Sequence, residues 1–154
     1  MIIREYKEND TEVIVALFTE TVRKVNIQDY SSDQVEVWAP IEADLTKWKV
    51  RLNKSMTFVA EDGQNIIGFA QLEASGHIDC FYIAHNRINT GIGSRLLKAI
   101  EDRAAQLKIN RIFTEASITA KPFFQHKGFL VIKQQIVELR NTKFVNYSME
   151  KQLT

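Results

Sequence analysis

The sequence predicts a mixed α/β (α+β) fold, helices flanking one central sheet, with residues 1–154 forming one domain. Three observations carry this. Runs that alternate apolar and polar residues take turns along the chain with stretches of helical apolar spacing. The six glycines and two prolines are scattered singly at the ends of these stretches, with no linker, repeat or low-complexity tract. At 154 residues, 45% of them hydrophobic, the chain is long enough to bury a core without help from metal or disulfide.

"MIIREY" alternates like a strand, and Asp10 followed by Val13, Ile14, Leu17 and Phe18 reads as an N-cap and an amphipathic helix. Residues 26–53 hold two short helices carrying Trp38 and Trp48, broken at Pro40, which biases Ala39 away from helical geometry. "MTFVAED" and "IIGFAQLEA" form a hairpin through the Asp62-Gly63 turn, and "HIDCFYIA" supplies a further strand. Leu96, Leu97, Ile100, Ala104 and Leu107 then fall on one face of a helix. "RIFTEAS" is a strand, "AKPFFQHK" a short helix closed by Gly128, and "LVIKQQIVELR" with "KFVNYSMEKQL" a final strand pair.

Charge and cysteine content remove several function classes. A formal net charge of +1 offers no field for a polyanion, so neither nucleic acid nor an acidic membrane is an expected partner. Cys80 is the only cysteine, which excludes an internal disulfide and a cysteine-built zinc site; no metal is expected. A cytoplasmic setting is expected, because the N-terminal stretch carries charges within its first residues and lacks the apolar run of a signal peptide.

"RINTGIGSRLL", Arg87 to Leu97, places two glycines between a strand and a helix, where free main-chain N–H groups and the helix dipole suit a phosphate. A nucleotide-hydrolysing loop needs a glycine-lysine pair, and Ser94 and Arg95 follow instead; a dinucleotide fingerprint needs a third glycine where Leu96 stands. From the loop alone, a tight turn and an anion seat are equally good readings.

The order of elements, with "GIGSRLL" and then "FFQHKGF" some thirty residues on, resembles the GNAT superfamily of acyl-CoA-dependent N-acetyltransferases across the whole chain. It is most similar to small bacterial members, with matching stretches in "IDCFYIAHNR", "EASITAKPFFQHKGF" and "NYSMEKQL". The resemblance implies a central sheet with two splayed parallel strands, "HIDCFYI" and "RIFTEAS", between which the pantetheine arm of coenzyme A enters. It places the pyrophosphate on the turn Ile88, Asn89, Thr90, Gly91, Ile92, Gly93 and Ser94, with acetyl-CoA as co-substrate. Ile88 stands where the family has Gln or Arg, and Asn89 where it commonly has Gly; main-chain amides survive both changes, and Asn tolerates left-handed backbone angles. Tyr82 and Ile83 become contacts for the thioester, the N–H near Ile83 facing the oxyanion. Ser117 and Lys121 become contacts for the pantetheine arm and a cofactor phosphate, and Phe124 a further cofactor contact.

Transfer to an ammonium substrate requires its deprotonation. His77 stands fourteen residues before Gly91, where many relatives carry a glutamate base, and Asp79 is two residues on along the same strand face; the pair reads either as the base or as a strand-end histidine and a turn-capping aspartate. Phe124 stands where the family often has a tyrosine acid, leaving Tyr82 and Tyr147 as substitutes. Cys80 reads as a core thiol. The resemblance puts the acceptor pocket at the first helices, where Asp29, Tyr30 and Trp38 could hold a small-molecule or peptide amine. It also allows a homodimer. The competing function is a non-catalytic acyl-CoA-binding regulatory module, motivated by Phe124 and Ile88.

Overall fold

The computed structural model describes residues 1–153. Seven strands and five helices follow one another as β1 (Ile2–Glu5), α1 (Thr11–Lys24), α2 (Ser32–Trp38), α3 (Leu45–Lys54), β2 (Met56–Asp62), β3 (Asn65–Leu72), β4 (Ile78–Ile83), α4 (Ile92–Gln106), β5 (Arg111–Ser117), α5 (Lys121–His126), β6 (Leu130–Leu139) and β7 (Thr142–Gln152). The single sheet expected from the sequence is divided into two, β1-β2-β3-β4 and β5-β7-β6, each antiparallel throughout. Among the described residues their main chains pair only where β4 and β5 run side by side in parallel, at an isolated bridge between His77 and Phe113. The splay implied by the resemblance is therefore present, and it divides the sheet in two.

Local sequence explains the boundaries. Ser31 and Gln34 form a capping box that starts α2, and Asp44 accepts the Lys47 N–H to start α3; Pro40 lies in the break between them. Asp10 directly precedes α1 but does not cap it: its carboxylate takes the Lys7 N–H and a bidentate pair of Arg4 N–H groups. Leu107, expected on the buried face of α4, is half exposed, because the helix has already ended and turns there.

The helices cover opposite faces. Leu96, Leu97, Ile100 and Ala104 of α4 pack with Phe58, Ile67, Ile78, Ile112 and Met149 in one core, bridging both sheets. Ile14, Phe18 and Val22 of α1 and Leu52 of α3 pack with Val59, Phe69 and Cys80 in the other. Each fully buried Leu or Ile contributes roughly 1.5–3 kcal/mol. β6 is the outer strand of its sheet and keeps Leu130, Ile132 and Ile136 exposed.

One irregularity decides where the site residues point. Leu72 pairs with Ile78 and Ala70 with Phe81, so two β4 residues, Asp79 and Cys80, oppose the single Gln71. This bulge breaks the two-residue alternation. His77 and Asp79, expected on one face, part company: His77 turns to β5 and Asp79 to α3.

Candidate active site

The turn before α4 has the backbone of an anion seat. Asn89 and Gly91 both adopt left-handed angles, φ 62° and 86°, and the Thr90 hydroxyl donates to the Arg87 carbonyl to close the turn. The N–H groups of Ile92, Gly93 and Ser94 then emerge at the positive end of a 15-residue helix, without an acceptor among the described residues. The two glycines do different work. A Cβ on Gly91 would meet no atom within 4 Å, so the space before the turn is open and glycine is favoured there by backbone angle. A Cβ on Gly93 would stand 2.9 Å from the Phe123 ring, so this glycine lets α5 close onto α4. Arg87 is turned away to Asp62 at 3.0 Å, and the Ile88 side chain is exposed.

Beside this seat lies the gap between the sheets. At the start of β4, Phe113 N–H donates to the Gly76 carbonyl and the Thr114 hydroxyl to the Ile78 carbonyl; beyond these and a His77–Glu115 side-chain bond, no hydrogen bond joins the two strands among the described residues. Ala84 N–H points to β3, at the Ile67 carbonyl. By alternation the Ile83 peptide groups face the other way, toward the gap, and the Ile83 carbonyl takes the Thr21 hydroxyl at 2.9 Å. The outer edge of β4 is an open place for an extended chain.

His77 marks the joined end of that gap. Nδ1 is hydrogen-bonded to Glu73, Nε2 to Glu115 at 2.7 Å, and the ring packs on Phe113. The bond to Glu115 above all, then that to Glu73, raise the imidazole to about 9 against the opposing effect of burial. At neutral pH it is protonated and holds no lone pair for an incoming proton.

Asp79 receives Arg51 at 2.8 and 3.0 Å; burial resists its ionisation, but the guanidinium prevails and the carboxyl stays below its ordinary value. Arg51 is itself held, its guanidinium 5.0 Å above the Trp48 ring and its carbonyl accepting from the buried Gln71 amide. Burial drives the Tyr82 phenol well above the ordinary tyrosine range, and its ring lies against Phe69 and Phe18. Burial likewise pushes the Cys80 thiol up to about 12, as suits a core cysteine.

Two cavities adjoin on the α3 side of β4. One, of about 400 Å³, is walled by Phe18, Trp38, Trp48, Tyr82, Lys47 and Arg140; the other, of about 360 Å³, by Lys47, Arg51, Lys54, Ser55, Glu73 and Asp79. Of the three residues expected to hold an acceptor, Trp38 alone lines either of these two cavities. Tyr30 is buried, accepting the Ile118 N–H and donating to the Val145 carbonyl, so it ties the end of β5 to β7; Asp29 accepts from Thr119. Phe124, expected to touch the cofactor, is 2% exposed within a cluster of Phe81, Phe123 and Phe129 and presents no surface. Ser117 accepts the Ala120 N–H, which leaves its own proton to give, and Lys121 lies 4.3 Å over Tyr147. Lys47, Arg51, Lys54 and Arg140 were not foreseen, although the spacing 47, 51, 54 on a helix is a legible basic stripe.

Known proteins decide the family. The model of the acetyltransferase (GNAT) domain matches residues 26–151. An uncharacterised N-acetyltransferase, YafP of Escherichia coli K12, is 35% identical over 147 residues, 96% of this chain and 93% of that one. The chain belongs to the GNAT acetyltransferase family. Among solved GNAT structures, a GCN5-related N-acetyltransferase from Rhodopseudomonas palustris superposes with a TM-score of 0.95 at 28% identity, covering 99% of this chain and 95% of that one. PaiA N-acetyltransferase from Thermoplasma acidophilum, solved in complex with coenzyme A, gives 0.81 at 18% identity over 98% of both chains and shares the fold. This GNAT chain is an acetyltransferase by family. Among its described residues no helix is long and apolar enough to cross a membrane.

Proposed function

We propose that this acetyltransferase takes the acetyl group from acetyl-CoA and delivers it to an amine by direct attack. The observation that carries the reading is the adjacency of three features: unpartnered first-turn amides of α4, the open edge of β4 facing β5, and an aromatic-walled cavity on the far side of β4. The open space before Gly91 supports a pyrophosphate held by the amides from Asn89 to Ser94, with Ser117, whose hydroxyl proton is free to donate, and Lys121 assigned to the arm and a phosphate. When bound, acetyl-CoA supplies a thioester; the amine forms a C–N bond at its carbonyl, and the C–S bond then breaks.

The Ile83 N–H is directed toward the gap, where it can stabilise the oxyanion. The proton released by the amine passes to water in the open cleft. His77 is protonated and Asp79 is committed to Arg51, so neither acts as an efficient base; they position β4 instead. Tyr82, its phenol neutral throughout any working range, is assigned as a hydrogen-bond donor to the departing thiolate, which takes its proton from water. The demand on it is small: a thiolate whose thiol has a pKa near 8.5 lies about one unit from neutral-range pH, roughly 1.4 kcal/mol. The exposed apolar edge of β6 supports a homodimer.

The test is release of CoA from acetyl-CoA across a panel of amine classes. We expect at least one class to give amine-dependent release. Release equal to the buffer blank for every amine would overturn the reading.

A further inference from the structure

We infer that the acceptor amine carries an anionic group at its far end, a carboxylate or a phosphate, held at the α3 face of the cleft by Lys47 and Lys54. This rests on the acetyltransferase reading and concerns the same cleft. The two cavities share Lys47 and Arg51 in their linings, so they lie side by side along α3; together, as a trough, they reach from the aromatic walls to Lys54 at the C-terminal end of α3. Lys47, Arg51 and Lys54 follow one another on a single face of α3, three cations within two turns.

The acidic groups in the trough are mostly spent. Glu73 is bound to the protonated His77, and Asp79 takes both bonds of the Arg51 guanidinium. Asp44 remains, and one of its oxygens is engaged by the Lys47 N–H at the start of α3. Against these, neither Lys47 nor Lys54 has a carboxylate within 4.0 Å among the described residues, and Arg140 donates only to the Val37 carbonyl. An uncompensated positive charge at one end and rings at the other favour a ligand that is anionic at one end and presents its amine toward β4. The ammonium groups give charge-assisted bonds to either oxyanion, so both sources share the chemistry.

The experiment compares ω-amino carboxylates of two to six carbons and ω-aminoalkyl phosphates with alkylamines of the same length. The readouts are kcat/KM in the wild type and in Lys47→Gln, Lys54→Gln and the conservative Lys47→Arg. Lys49→Gln, whose side chain turns to Glu8, serves as a control. The expected result is a preference for one anionic series of roughly tenfold or more, reduced roughly tenfold, through KM, by each glutamine variant. Lys47→Arg and the control should retain it. Carboxylate or phosphate preference identifies the source. Alkylamines used as well as both anionic series, or a preference untouched by either glutamine variant, would overturn this inference while leaving the acetyltransferase reading intact. No turnover with any amine would instead overturn that reading, and this one with it.

Discussion

Raising the pH should loosen this protein through one side chain, His77. In the folded chain its imidazole sits near 9, against 6.5 for an ordinary histidine, so the folded state binds that proton more tightly than the unfolded state does. The stabilisation is therefore whole below about pH 6.5 and is lost as pH rises through about 9. At ~1.4 kcal/mol per unit, a rise from 6.5 to about 9 sets a ceiling of about 3.5 kcal/mol. The carboxylates that hold it are 38% and 42% exposed, and solvent screening brings the expected figure down to about 1–2 kcal/mol. For a chain of this size that is roughly 2–8 °C in Tm. The assay is thermal and urea unfolding from pH 6.0 to 9.5 for wild type and His77→Gln, reading the difference between the two so that other titrating groups cancel. The variant should lose this part of the slope, and the ring proton shifts of His77 should titrate clearly above the ordinary 6.5, with about 9 as the upper bound. Parallel stability curves, or a ring midpoint at or below 6.5, would refute the reasoning. Activity adds a second arm: if His77 braces β4 against β5, the rising limb of the pH–rate profile should survive in His77→Gln.

Three further outcomes follow from the same geometry. Gly91→Val should weaken coenzyme A binding at least tenfold by calorimetric titration, since the side chain fills the open seat; the left-handed angle adds roughly 1–3 kcal/mol of strain, to be measured separately by unfolding. Tyr82→Phe should lower kcat by about tenfold with little change in the KM for acetyl-CoA, in keeping with the modest demand of thiolate release. Cys80, buried and with its thiol pushed up to about 12, should react with a disulfide reagent only at the rate of unfolding; prompt labelling of the native protein would contradict its place in the core.

Much of the fold could be read from the residues because its signals are local. Pro40 breaks the chain between α2 and α3, Asp62 and Gly63 turn the hairpin, and the apolar face of α4 repeats at helical spacing; each is written within a few neighbouring positions. The division of the sheet and the fate of His77 and Asp79 are not local. The first depends on where β4 and β5 cease to touch. The second depends on a bulge that exists only because Asp79 and Cys80 together face Gln71. Asn89 could be read, since a left-handed turn has few tolerable side chains. Asp29 and Tyr30 could not, because a carboxylate and a ring serve a loop anchor or a ligand equally well until Thr119, Ile118 and Val145 are seen to be their partners. The basic stripe of α3 was present in the spacing all along, and only the trough beside it gives the spacing meaning.

The gap between β4 and β5 is bordered by main chain. The two strands are tied at the His77 end, through the Gly76–Phe113 and Ile78–Thr114 hydrogen bonds, and main-chain pairing stops beyond it among the described residues. Peptide groups stay the same whatever side chain is attached to them, so the donors and acceptors along this edge of β4 are indifferent to most substitutions. One reactant can thus be held by a surface that sequence drift hardly alters, while the side chains around the trough are left free to change the other.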